Sequence, residues 1–98
     1  MIKIEITEAY KKWFNGLKDF KAKNIINVRL DRIREGNFGD RKTLGGGLYE
    51  VRIHYGNGYR LYFVHKGEYW VLILCGGEKS TQSKDIEKAR KFLKEVKQ

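Results

Sequence analysis

Residues 44–63 read LGGGLYEVRIHYGNGYRLYF. Two stretches that alternate apolar and polar side chains flank a turn at Gly56-Asn57-Gly58, the pattern of two half-buried strands joined as a hairpin. Arg52, His54 and Arg60 are set into those strands. A sheet that carries three such side chains must offer them either solvent or an anion.

The register follows from keeping apolar residues together. A two-residue turn at Asn57-Gly58 pairs Arg52 with Phe63 and mixes the faces. A three-residue Gly56-Asn57-Gly58 loop pairs Val51 with Phe63 and Ile53 with Leu61, giving one apolar face, and sets Arg52 opposite Tyr62 and His54 opposite Arg60 on the other. A third strand, Tyr69 to Cys75, comes after a Lys66-Gly67 turn, which predicts Trp70 across from Phe63 and Leu72 across from Leu61. The second face then concentrates Arg52, His54, Arg60 and Tyr62. Two readings fit it: a face built for an anion, since cross-strand cations repel unless something negative lies between them, or a solvated face where Glu50 pairs locally with Arg52.

Outward from the hairpin, Ile2, Ile4 and Ile6 alternate with Lys3 and Glu5 as an N-terminal strand, and Thr7 can cap a helix after it. Tyr10, Trp13, Phe14, Leu17 and Phe20 form an apolar stripe that predicts a helix from Glu8 to about Lys21, weakened at Asn15-Gly16. Ile25, Ile26, Leu30 and Ile33 predict a second helix from Ala22 to Glu35, stopped by Gly36, so the pair is an αα-hairpin. It is expected to cover the apolar face. Asn37 to Gly47 reads as a flexible lead into the sheet; its glycine triplet lacks the spacing of a nucleotide-binding loop. Ser83 can cap a last helix to about Val96 carrying Ile86, Ala89, Leu93 and Val96 on one face, and Lys94 to Gln98 are expected to fray. The expected fold is α+β, an antiparallel β-sheet packed on an N-terminal αα-hairpin, in the order β-α-α-β-β-β-α.

A chain of 98 residues is the size of one domain, residues 1–98. Its net charge of +9 is spread along the chain rather than gathered in a tail, which favours a polyanionic partner. No apolar run is long enough to cross a bilayer and no signal-peptide core is present, so a cytoplasmic protein is expected. The single Cys75 cannot form an internal disulfide and sits among apolar neighbours as a small buried hydrophobe. No His, Cys or carboxylate cluster has metal-ligand spacing, so no metal or cofactor is expected.

The hairpin stretch, together with LILCGGEKSTQSKDIEKA at residues 72–89, resembles the HigB-type branch of the RelE/ParE superfamily, the addiction-module killer toxins of bacterial toxin–antitoxin pairs. The GLYE-R-I, GYR-Y and GG-K-TQ-DI-A elements stand in that family's order and spacing, and Trp13 with Leu17 fits its first helix. The resemblance implies a RelE-like fold and a toxin that cuts messenger RNA on the ribosome. It also implies a helix-turn-helix antitoxin, with operator DNA contacted only through that complex.

Such cleavage needs no metal when the 2′-hydroxyl attacks its neighbouring phosphate and cations stabilise the charge that builds up. Arg52 and Arg60 match the family's strand positions, and a forked guanidinium suits phosphate oxygens. Lys79 matches the motif lysine, a phosphate ligand or proton-transfer group, and His54 is a candidate acid or base. Lys42, Tyr49, Tyr62 and Gln82 complete the set as candidate RNA contacts, the tyrosines by stacking. Two other functions remain open: a ParE-like inhibitor of DNA gyrase and a non-catalytic RNA-binding relative, since fold does not fix function.

Overall fold

The computed structural model describes residues 1–96. Its elements are β1 (Lys3–Ile6), α1 (Glu8–Asn15), α2 (Phe20–Arg34), β2 (Arg41–Gly45), β3 (Leu48–Ile53), β4 (Tyr59–His65), β5 (Trp70–Glu78), a 3-10 turn at Lys79–Thr81 and α3 (Gln82–Val96). The strands form one sheet in the order β1-β5-β4-β3-β2. The architecture is the expected α+β fold with one strand more. β1 lies parallel to β5 and the other pairings are antiparallel.

Thr7 caps α1 as its sequence position suggests, its Oγ1 accepting the Tyr10 N–H at 3.0 Å. The first helix ends at Asn15 rather than near Lys21. Gly16 closes it through its N–H on the Lys12 carbonyl, and Asp19 starts α2 by accepting the Ala22 N–H at 3.1 Å. This cap outweighs the apolar stripe, and Phe20 is left 77% exposed. Gly36, with φ of 91°, ends α2 in a conformation that favours glycine. For α3 the cap moves upstream of Ser83: Glu78 and Thr81 form a reciprocal capping box before the helix. Lys94 to Val96 remain helical; Lys97 and Gln98, the rest of the segment expected to fray, lie outside the described residues.

The segment expected as a flexible lead contains β2, paired with β3 through Arg41–Val51, Lys42–Glu50 and Thr43–Tyr49. Its side chains are exposed apart from Leu44, so no alternation marks it as a strand. Arg90 of α3 anchors its end, donating from Nη2 to the Leu44 carbonyl at 2.7 Å.

The β3–β4 register differs from the expected one by two residues. Val51 faces Leu61, Arg52 faces Arg60 and Ile53 faces Tyr59, because the turn runs through five residues, His54 to Gly58. A two-residue shift leaves every side chain on its expected face, so the apolar pattern cannot detect it. Between β4 and β5 the correction is larger. Phe63 faces Ile73 and Val64 faces Leu72, with a bulge between Tyr62 and Phe63. Leu72 therefore belongs to the opposite face from the one expected.

Two cores result. On one face Val51, Ile53, Leu61, Phe63, Val71 and Ile73 pack against Ile26, Leu30 and Ile33 of α2 and Tyr10 of α1. On the other, Leu48, Tyr62, Val64, Leu72, Leu74 and Cys75 pack against Ala89 and Leu93 of α3. Consecutive glycines of β5 admit one side chain to each face. A Cβ on Gly76 would overlap the Trp13 ring of α1, and a Cβ on Gly77 would overlap the Asp85 carboxylate of α3. No helix among the described residues is long and apolar enough to cross a membrane.

Candidate functional site

The side chains of Glu50, Arg52 and Arg60 meet on the α3 face, at the end of the sheet nearest the start of that helix. Glu50 and Arg52 are two residues apart on β3 and so share a face; Arg60 stands directly opposite Arg52 on β4. Glu50 is fully buried. Its Oε1 accepts Arg52 Nε at 2.9 Å, and its Oε2 accepts Arg60 Nη1 at 3.5 Å and Gln82 Nε2 at 2.9 Å. Gln82, the first residue of α3, thereby ties the helix to the sheet at the cluster.

The electrostatics are set by this bonding. Burial by itself would raise the pKa of Glu50, but the hydrogen bonds from Arg52 and Gln82 and the charges of both arginines outweigh it and hold the carboxyl below its ordinary value. Arg52 is correspondingly held above its own ordinary value, first by the hydrogen bond to Glu50 and then by that carboxylate's charge. The Arg52 side chain is 31% exposed and the Arg60 side chain 10% exposed. The two cations therefore differ in what a ligand can reach.

Lys79 and Lys42 flank the cluster. The Lys79 N–H donates to the Gly58 carbonyl at 3.1 Å, fixing its turn beside the start of β4, and its side chain is exposed. Lys42 is the β2 partner of Glu50, which places it on the same face, exposed at the sheet edge.

The remaining candidates lie apart. His54 leaves the sheet for the turn, 74% exposed at its side chain, with Nε2 at 2.7 Å from Asp40 Oδ2; that contact is the chief cause holding Asp40 below its ordinary pKa. Tyr49 is on the other face, its ring stacked 5.4 Å from Phe63, beneath the Arg41 guanidinium. Tyr62 shares the face of the cluster but is completely buried, so its ring is closed to a base. Its hydroxyl has no hydrogen-bond partner among the described residues, and burial, with the nearby Glu50 and Asp85 charges, pushes its pKa upward.

Cys75 is buried as expected; burial, then the charge of Asp85, pushes its thiol up to about 12. A groove of about 410 Å³ runs between α1 and α3 along the glycines of β5, lined by Trp13, Gly76, Gly77, Lys84, Asp85 and Lys88. It holds neither Arg52 nor Arg60. Among the described residues no three His, Cys, Asp or Glu side chains gather as metal ligands.

Glu50 is the site residue that sequence reasoning left in the background. Its signal was the Glu50-Val51-Arg52 spacing, which suggested a local pair; its second arginine and Gln82 come from distant parts of the chain. The chemistry on offer is a pair of arginines neutralised by one carboxylate, leaving net positive charge with Lys42 and Lys79 beside it. Such a set binds an anion with oxygens to share between forked donors.

Residues 12–94 match the family described as phage-derived protein Gp49-like (DUF891). The chain belongs to that Gp49-like family. The match takes in the arginine cluster and all of its flanking residues. A relative of the Gp49-like chain in Haemophilus influenzae, called there an uncharacterized protein, is 43% identical over 95 residues, covering 97% of this chain and 96% of that one. Among solved structures, the isolated E. coli RelE toxin superposes with a TM-score of 0.66 at 16% identity, over 89% of this chain and 97% of that one. A chain of the intact E. coli RelBE toxin–antitoxin complex gives a TM-score of 0.60 at 15% identity, over 80% of this chain and 96% of that one. The Gp49-like chain therefore has the RelE fold.

Proposed function

We propose that this Gp49-like protein is the toxin of a type II toxin–antitoxin pair, of the HigB type, and that it cleaves messenger RNA on the ribosome. What carries the reading is the arginine pair on Glu50, flanked by Lys42 and Lys79 on the α3 face where that helix begins, with the Arg52 side chain 31% exposed. The 2′-hydroxyl of the substrate gives up its proton to water and attacks the adjacent phosphate without a metal, and the P–O5′ bond breaks to leave a 2′,3′-cyclic phosphate and a 5′-hydroxyl; Arg52 holds a phosphate oxygen, and Arg60 adds a second positive charge as the pentacoordinate state forms. Lys79, on the turn anchored to Gly58, serves the leaving oxygen or a flanking phosphate. Gln82 acts through Glu50. His54, bound to Asp40 in the turn, and Tyr49, on the far face, take no part in the reacting centre.

The charge of +9 suits docking among ribosomal RNA. An antitoxin with a helix-turn-helix DNA-binding part holds the toxin inactive in the cytoplasm, and operator DNA is met through that complex. The fold shared with RelE, whose structure with its antitoxin is known, supports this partnership.

The test is primer extension on a defined messenger in a cell-free translation system, with wild type and Arg52→Ala, each with and without active ribosomes. Discrete cuts that require both translation and Arg52 are expected. An intact message while translation halts would remove messenger cleavage, and a gyrase supercoiling assay on the same preparation would then decide whether the chain poisons gyrase instead.

A further inference from the structure

Arg52 and Arg60 are direct cross-strand neighbours, a placement that repels unless an anion separates the charges. Glu50 supplies that anion from a fully buried position, and it uses its two oxygens differently. Oε1 serves Arg52 alone, through Nε; Oε2 serves Gln82 and, more loosely, Arg60. Binding by Nε leaves the terminal Nη fork of Arg52 without an acceptor among the described residues. Of the two guanidiniums, this one also belongs to the more exposed side chain.

We propose that Glu50 is a positioning residue: it holds Arg52 by Nε so that the Nη fork faces a phosphodiester, with Arg60 behind as a buried cation that keeps the cluster positive. This rests on the reading of the cluster as a ribonuclease site. Glu50 itself takes no proton from substrate, because every contact it makes is with a donor and the carboxylate is closed to solvent. The cost of misplacing Arg52 falls on the chemical step, where a shift of about 1 Å is worth up to about 100-fold.

Two variants separate geometry from charge. Glu50→Asp keeps the charge and withdraws the oxygens by one methylene; Glu50→Gln keeps the reach and removes the charge. Messenger cleavage by Glu50→Asp is expected to lose about 10-fold or more in kcat with KM nearly unchanged. Glu50→Gln is expected to lose kcat similarly while KM falls, since the site gains one unit of positive charge. The ¹⁵N Nε–H signal of Arg52 is expected to be sharp and protected from exchange in the wild type, where Nε bonds Glu50, and to broaden in both variants. Glu50→Asp carries the test alone if Glu50→Gln does not fold.

An unchanged Arg52 signal, or wild-type kcat in Glu50→Asp, would overturn the proposal. If the wild type cuts no messenger, the nuclease reading falls, while the dependence of the Arg52 signal on Glu50 still decides whether the carboxylate positions the arginine.

Discussion

Under α1 and α2 the sheet buries Val51, Leu61, Phe63 and Ile73 against aliphatic and aromatic side chains, and among the described residues no charged one is buried with them. Under α3 the same strands bury Leu48 and Val64 at one end, and Glu50, directly opposite Tyr62, with Arg60 towards the other. The first face is held by area removed from water, which any well-shaped hydrophobe supplies. The second contains an ion cluster whose members are costly to desolvate singly and tolerable only together. The difference shows where the charged cluster was placed: on the face covered by one helix, at the end where that helix begins and its first residue, Gln82, bonds Glu50.

Removing Glu50 tests the contrast most severely. Glu50→Ala strands Arg60 beside Arg52 and is expected to cost about 3 kcal/mol in denaturant unfolding, at the lower end for breaking a buried pair because the Arg52 side is open to solvent. A change comparable to that of an exposed ion pair would show that water already enters the cluster.

Next come the two glycines. Gly77→Ala and Gly76→Ala are each expected to cost about 1–3 kcal/mol by overpacking, through different partners. Trimming Asp85 to Ala should relieve the first and trimming Trp13 to Ala the second, whereas the crossed pairs should add. Coupling in a crossed pair would mean that the two faces are not independent.

Acid unfolding gives a smaller signal with a definite sign. The folded-state pKa of Glu50 lies below its ordinary 4.5, so its contribution to stability is complete above that value and is lost as the pH falls through the folded pKa. The stability of wild type should therefore drop more steeply below about pH 4.5 than that of Glu50→Gln. Parallel curves would mean that the carboxylate is not held ionised. Smallest of all, His54→Ala should leave the unfolding midpoint within replicate scatter, since its contact with Asp40 is solvated; a clear loss would show the turn to be part of the second face's framework.

Much of this was legible in residue order. The alternation in Leu48–Ile53 and Tyr59–His65 separated the apolar face from the arginines, Thr7 and Gly36 marked helix ends, and the resemblance led to the RelE fold. The failures have specific causes. β2 was hidden because an exposed edge strand has no buried alternation to display. Asn15-Gly16 read as a weak interruption because the cap at Asp19 competes with the stripe only once α2 has a surface to pack on. Tyr62 read as a base-stacking candidate because periodicity gives its face without saying that α3 covers it.

By itself the sequence determined which side of the sheet each residue of the central hairpin occupies, because side chains alternate with period two and one face must be dry. Only the tertiary structure decided that Arg60 stands opposite Arg52, that Leu72 changes face, and that Glu50 gathers both arginines and Gln82. A two-residue slip is invisible to alternation, the three-residue slip imposed by the longer turn between His65 and Trp70 reverses it, and a buried carboxylate's partners are chosen by distance in space between β3, β4 and α3.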